Sequence, residues 1–305
     1  MLDINHILVV LDSDHPEQIA LDKAMWLAGQ VNADITLITS VYEPYCGEGS
    51  ALDPDTKKRI HDARMESTEK WINSFVPEVL SEGRKVATRV YWQKHLHDAV
   101  VEAMRQDHYD LVIKGTLPHS LIDRIFTHTD WNLLRHCPAP VLLVKSATPW
   151  QHNRLLASID ATSVDDGHQQ INDNILAFAE HLADHFETDL HLTNAYPQIS
   201  VAFAMVPEVT APDDIQEYIV EQHKTACDQW ARKYKVSEDH VHIGEGETDE
   251  VVSAVATEIG ADLLVVGTMG RSGLAGVLIG NTAEQLVDKV PCDVLVVKPQ
   301  DGVAE

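Results

Sequence analysis

Apolar segments in the first half of this chain recur, in the same order and at nearly the same spacing, in the second half. His6-Ile7-Leu8-Val9-Val10-Leu11-Asp12 is matched 148 residues later by Arg154-Leu155-Leu156-Ala157-Ser158-Ile159-Asp160, and Asp34-Ile35-Thr36-Leu37-Ile38 by Asp189-Leu190-His191-Leu192-Thr193. Asp110-Leu111-Val112-Ile113-Lys114-Gly115 aligns with Asp262-Leu263-Leu264-Val265-Val266-Gly267 at an offset of 152, and Val141-Leu142-Leu143-Val144-Lys145 with Val294-Leu295-Val296-Val297-Lys298 at 153. Chance could supply one such match among apolar strands, but not an ordered series, so the chain is a duplication. The joint falls within Ser146–Asn153, giving a domain over 1–148 and a second over 153–305.

Each copy alternates short apolar runs with helical patterns. In the first, Pro16 marks a helix start that continues to about Val31, a long polar helix lies within 54–82, a helix runs from His97 and another lies near 130–136. Continuously apolar strands separated by helices predict an α/β fold: two tandem doubly wound parallel-sheet domains of Rossmann-like type. The stripe Trp71, Ile72, Phe75 and Val79 reads as core rather than as a ligand pocket.

The length of 305 residues agrees with two domains of roughly 100–200 residues each, and 44% hydrophobic residues suffice for two cores. Nothing approaches the roughly 18 consecutive apolar residues of a membrane span, and Met1–His6 lacks the basic and apolar regions of a signal peptide, so no membrane span and a cytoplasmic location are expected. Cys46, Cys137, Cys227 and Cys292 are widely spaced with no CxxC pair, which favours structural thiols over zinc or disulfides. The net charge of −25 is unevenly distributed, with 15 basic against 21 acidic residues in 1–150 and 8 against 27 in 151–305. Such a field repels phosphate backbones and anionic lipids and argues against a nucleic-acid partner. An anion bound to the second half must be held by local dipoles.

One segment supplies them. Gly267-Thr268-Met269-Gly270-Arg271-Ser272-Gly273-Leu274-Ala275-Gly276-Val277-Leu278-Ile279-Gly280-Asn281-Thr282 carries a third of the 15 glycines. Residues without Cβ let successive N–H groups converge on one anion. Gly280 precedes a predicted helix, Asn281 to about Lys289, whose free N–H groups suit a phosphate, with the Asn281 amide and Thr282 hydroxyl as further donors. The loop leaves the carboxyl end of a strand, where doubly wound sheets bind ligands, and Asp160 faces the same crevice, able to accept from a ribose hydroxyl or to hold a metal ion. A connection that merely turns tightly and packs is the alternative reading.

The spacing Gly267-x2-Gly270-x9-Gly280-Asn281-Thr282 resembles the G-x2-G-x9-G-[S/T] signature of nucleotide-binding universal stress proteins, with Asn281 where Ser or Thr is usual. The duplicated architecture is similar to the tandem, E-type members of that family. The resemblance implies an adenine nucleotide, ATP with or without Mg2+, bound in the second domain of a stress-response regulator. By the same resemblance the backbone near Ala195 contacts adenine and Asp160 the nucleoside. Gly267, Gly270, Gly280, Asn281 and Thr282 contact the phosphates, Met269 is a further cofactor-binding residue, and Arg271 is the nearby cation. It also implies that Val141–Val144 and Val294–Val297 pair the domains as an intrachain pseudo-dimer, with a homodimer of chains as a further step. No G-x4-G-K-[S/T] places a lysine on a transferring phosphoryl group, so binding is better supported than catalysis. A slow ATPase or phosphotransferase using Asp160 and Mg2+, or a scaffold carrying a small or lipid-like ligand, are the competing readings.

The first copy keeps only the first glycine of the loop, in Gly115-Thr116-Leu117-Pro118-His119; Pro118 removes an N–H and His128 replaces the last glycine. It is therefore expected not to bind ATP in this manner. His119, His128, His95 and His97 keep a metal or phosphate reading open, the last two only if their segment is extended. Ala195–Asp214 reads as an apolar insertion beside the nucleotide crevice, either a lid on its own domain or a surface for a partner or acyl chain.

Overall fold

A computed structural model describes residues 4–47, 49–81, 83–116, 128–198, 215–268 and 286–298. The chain forms two compact units, Met1–Pro149 and Trp150–Glu305. The first contains β1 (His6–Val10), α1 (Ile19–Val31), β2 (Asp34–Val41), α2 (Pro54–Asn73), α3 (Val76–Ser81), β3 (Val86–Trp92), α4 (Leu96–Gln106), β4 (Leu111–Gly115), α5 (His128–His136) and β5 (Val141–Val144). Its strands are all parallel in the order β3-β2-β1-β4-β5. Ile7, Leu8 and Val9 at the centre are fully buried, as continuous apolar runs between helices require.

The second unit repeats this plan with β6 (Arg154–Ser158), α6 (Asp166–Phe186), β7 (Asp189–Tyr196), α7 (Ile215–Lys233), β8 (Val241–Glu245), α8 (Thr248–Glu258), β9 (Leu263–Gly267) and β10 (Asp293–Val297). Its parallel order is β8-β7-β6-β9-β10. Local chemistry is duplicated too. Asp110 accepts from the N–H groups of Asn5 and His6, and Asp262 from those of Gln151, His152 and Arg154, so an aspartate before the fourth strand secures the entry to the first in each unit. Helices α1 and α6 both close on a left-handed residue, Asn32 or Glu187, whose N–H returns to the carbonyl of Ala28 or Ala183.

Three sequence expectations change. The polar helix within 54–82 is two helices, because Pro77 has no N–H to give the Asn73 carbonyl and the Ser74 hydroxyl instead turns back to Trp71 O at 2.6 Å. Helix α1 starts at Ile19, three residues after Pro16, because Gln18 bonds back to the N–H and C=O of Asp12 and holds the intervening turn. Strand β7 extends to Tyr196, so Ala195 is a strand residue and the insertion starts later; residues 199–214 lie outside the described residues. The stripe on α2 and α3 is core, with Ile72 and Val79 fully buried and Trp71 edge-on to Phe75 at 5.3 Å. No described helix is long and apolar enough to cross a membrane. All four thiols are free, and burial pushes that of Cys227 up to about 12.

Candidate functional site

In the second unit the winding direction reverses between β6 and β9, which opens a crevice at their carboxyl ends. Three elements meet its edge: the turn after β6 with Asp160, the end of β9 at Gly267, and the end of β7 at Ala195. The structure thus brings Asp160, Ala195 and Gly267 to one end of one sheet. Met269, Gly270, Arg271, Gly280, Asn281 and Thr282 lie outside the described residues, as do His119 and Pro118; residues 286–289 are helical.

The backbone of Asp160 is held at both its N–H and its C=O while the residue itself is exposed. Asn172 on α6 accepts from the Asp160 N–H at 3.2 Å and donates to its carbonyl at 2.7 Å. Asn194 on β7 donates to Ile159 O at 3.0 Å, and the Trp230 indole on α7 donates to Ala161 O at 3.3 Å. Buried amide side chains lose stability unless paired, so these bonds fix one conformation of the turn. The carboxylate itself has no hydrogen-bond partner among the described residues.

Strand geometry places a second pair of groups there. Residues of a parallel strand direct their N–H and C=O alternately to one side and the other. Thr193 O accepts from Ile159 N–H on the β6 side, and Tyr196 O from Gly246 N–H on the β8 side. Ala195 therefore directs both groups toward β6, which has already ended. The hydroxyl of Thr268, just beyond β9, is buried without a hydrogen-bond partner among the described residues.

Gly267 has a packing reason as well. A Cβ there would lie 2.4 Å from Ile171 Cγ1 and 2.9 Å from Ile175 Cδ1, so α6 can approach β9 only over a glycine. Gly115 stands in the same relation to Ile19 on α1, at 2.8 Å. The first glycine of the loop thus survives in both copies because helix packing requires it, whatever the loop binds.

The two crevices differ otherwise. In the first unit the carboxylate of Asp12, equivalent to Asp160, accepts from Asp14 N–H at 3.0 Å and pairs with His15 at 3.2 Å. Lys114, at the end of β4, forms a buried ion pair with Asp130 on α5 at 2.6 Å, where the second unit has Val266. His95 and His97 stack at 5.5 Å where an extended His95 enters α4, and among the described residues no group of three or more His, Cys, Asp or Glu could hold a metal ion.

Sequence reasoning missed Asn172, Asn194, His223 and Trp230. Buried His223 on α7 meets Asn194 Oδ1 through Nδ1 at 2.6 Å; burial holds its pKa below the usual histidine range although nearby Asp160 pulls it up. Asparagines beside apolar residues, Asn172 next to Ile171 and Asn194 within Leu190–Ala195, were the available signal.

A family model described as the universal stress protein family matches residues 3–145 and 164–298, one stretch in each unit. The chain belongs to the universal stress protein family. Universal stress protein E of Escherichia coli strain K12 is 30% identical to it over 297 residues, covering 96% of this chain and 94% of that protein. Universal stress protein E homolog of Haemophilus influenzae is 30% identical over 306 residues, covering 98% of each. Among solved structures, a putative universal stress protein from Pseudomonas aeruginosa UCBPP-PA14 superposes with a TM-score of 0.75 at 30% identity, over 98% of this chain and 95% of that one. The likeness spans both units, so this universal stress protein is similar to these relatives along nearly its whole length.

Proposed function

We propose that this universal stress protein binds an adenine nucleotide, ATP with or without Mg2+, in the crevice of its second unit, and acts in the stress response as a nucleotide-dependent regulator rather than an efficient enzyme. The observation that carries the reading is the pairing of a fixed Asp160, whose carboxylate has no hydrogen-bond partner among the described residues, with the outward N–H and C=O of Ala195. The edge of adenine offers a complementary acceptor and amine donor to that backbone, and ribose hydroxyls are donors for the carboxylate. Phosphates extending along the end of β9 would meet the Gly267, Met269, Gly270 and Arg271 segment and the Gly280, Asn281 and Thr282 that precede helical residues 286–289 in the chain. Mg2+, when bound, would neutralise phosphate charge, and Asp160 is the residue of this chain suited to face it.

Isothermal titration of the full chain with ATP tests the reading. One saturable site is expected. Asp160→Ala should weaken binding by about tenfold, the size of one charge-assisted hydrogen bond, and Gly280→Val should weaken it at least as much by crowding the loop. Equal heats from the parent and both variants would move the site elsewhere.

A further inference from the structure

The strand, turn and helix around Asp160 are connected by a directional chain of hydrogen bonds that begins on α7. Asn194 must present its amide nitrogen to Ile159 O, because a carbonyl only accepts. Its Oδ1 then faces His223, and the 2.6 Å contact requires the proton to be on His223 Nδ1. The chain thus runs from His223 Nδ1–H to Asn194 Oδ1, and from Asn194 Nδ2–H to the carbonyl of the peptide whose other end is the Asp160 N–H. That N–H is taken by Asn172, so the Ile159–Asp160 peptide is gripped on both edges by buried asparagines, and one of them is itself oriented by a histidine.

The two copies supply a control. The first unit also clamps its aspartate, with Gln18 accepting from Asp12 N–H at 3.1 Å and donating to Asp12 O at 2.8 Å. At the position of Asn194, however, it has Thr39, which is buried but too short to reproduce the amide bridge. Of the two units, the one with the imidazole-to-amide chain is also the one that keeps the glycine-rich sequence and whose aspartate carboxylate has no hydrogen-bond partner among the described residues.

We infer that His223 is a positioning residue for the nucleotide site, holding Asp160 in place through Asn194 and coupling α7 to the crevice. This rests on the reading of the crevice as a nucleotide site. His223 touches Asn194 and, with its ring tilted at 43°, Tyr196 at 5.6 Å between centroids. Its Nδ1–H is committed to the amide, and the ring is buried, so its effect on a ligand reaches through Asp160. Fixing a side chain before the ligand arrives removes the ordering cost from binding.

A double-mutant cycle read by ATP titration tests this. In the parent, His223→Leu should weaken ATP by about fivefold, the size of one neutral hydrogen bond, and His223→Asn, whose amide N–H stands where Nδ1 stood, should recover most of the loss. In an Asp160→Ala background, His223→Leu should add nothing, since the group it positions is gone. Equal losses in both backgrounds would overturn the inference while leaving the nucleotide site standing. Absence of saturable ATP binding by the parent would remove both. If His223→Leu does not fold, the nitrogen chemical shifts of the His223 ring in the unaltered protein decide: an Nδ1–H tautomer is required, and an Nε2–H tautomer contradicts the chain of bonds.

Discussion

Replacing Lys114 by methionine should destabilise the first unit by about 3–5 kcal/mol, because it removes the ammonium that the buried Asp130 carboxylate meets. The two side chains are only 6% and 2% exposed and meet at 2.6 Å, and the ammonium also donates to Gly115 O at 3.0 Å. Two charges taken out of water are tolerated only as a pair, so the cost appears when one is removed alone. The double replacement Lys114→Met with Asp130→Leu should recover most of the stability, since an apolar pair of similar size needs no charge compensation. Urea denaturation, with hydrogen exchange of residues 111–144 reporting the first unit, measures both. A single-variant loss below about 1 kcal/mol would show that the pair is solvated and worth no more than a surface bridge.

Acid should weaken the second unit through a stack of imidazoles. His191 on β7 lies over His240 with centroids 4.0 Å apart, and its Nδ1 is 3.0 Å from His242 Nε2. Its own Nε2 is buried without a hydrogen-bond partner among the described residues. Burial, then the repulsion of His240 and His242, holds its pKa at about 4; Asp189 opposes this and Arg154 reinforces it. His242 is lowered too, by burial, against the pull of Glu258. Between pH 6.5 and 4 the unfolded chain therefore takes up a proton that the folded one refuses. The stability due to a neutral His191 is complete above about pH 6.5 and is lost as the pH falls toward 4, with a loss on the order of 2 kcal/mol once residual solvent screening is allowed for. Unfolding midpoints from pH 7 to 4 should fall in the parent and fall less in His191→Phe, which keeps the stacked ring and removes the titration. Parallel pH profiles for the two would show that the cluster is not the source.

The fold was largely legible because its signals are local. Uninterrupted runs such as Ile7–Val10 and Leu263–Val266 can only be central strands, and the repeat confined the topology to one plan used twice. Helix boundaries were harder: the break at Ser74 depends on one hydroxyl and one proline, and the late start of α1 on a single glutamine that returns to Asp12. At the crevice, Asp160 could be read from its place after a strand, but the residues that hold it could not. Asn172, Asn194, His223 and Trp230 come from three elements and become neighbours only after the sheet has formed. Gly267 was legible as a glycine and ambiguous in its purpose; the close approach of Ile171 gives it a packing role that sequence spacing does not reveal.

One nucleotide is expected to bind per chain, in the second unit, with its base at the end of β7. Photolabelling the full chain with 8-azido-ATP, followed by mass spectrometry of the labelled peptides, tests it most directly. A single saturable label within residues 189–223, suppressed by excess ATP, is expected. Label recovered from the first unit, under the same competition, would contradict it.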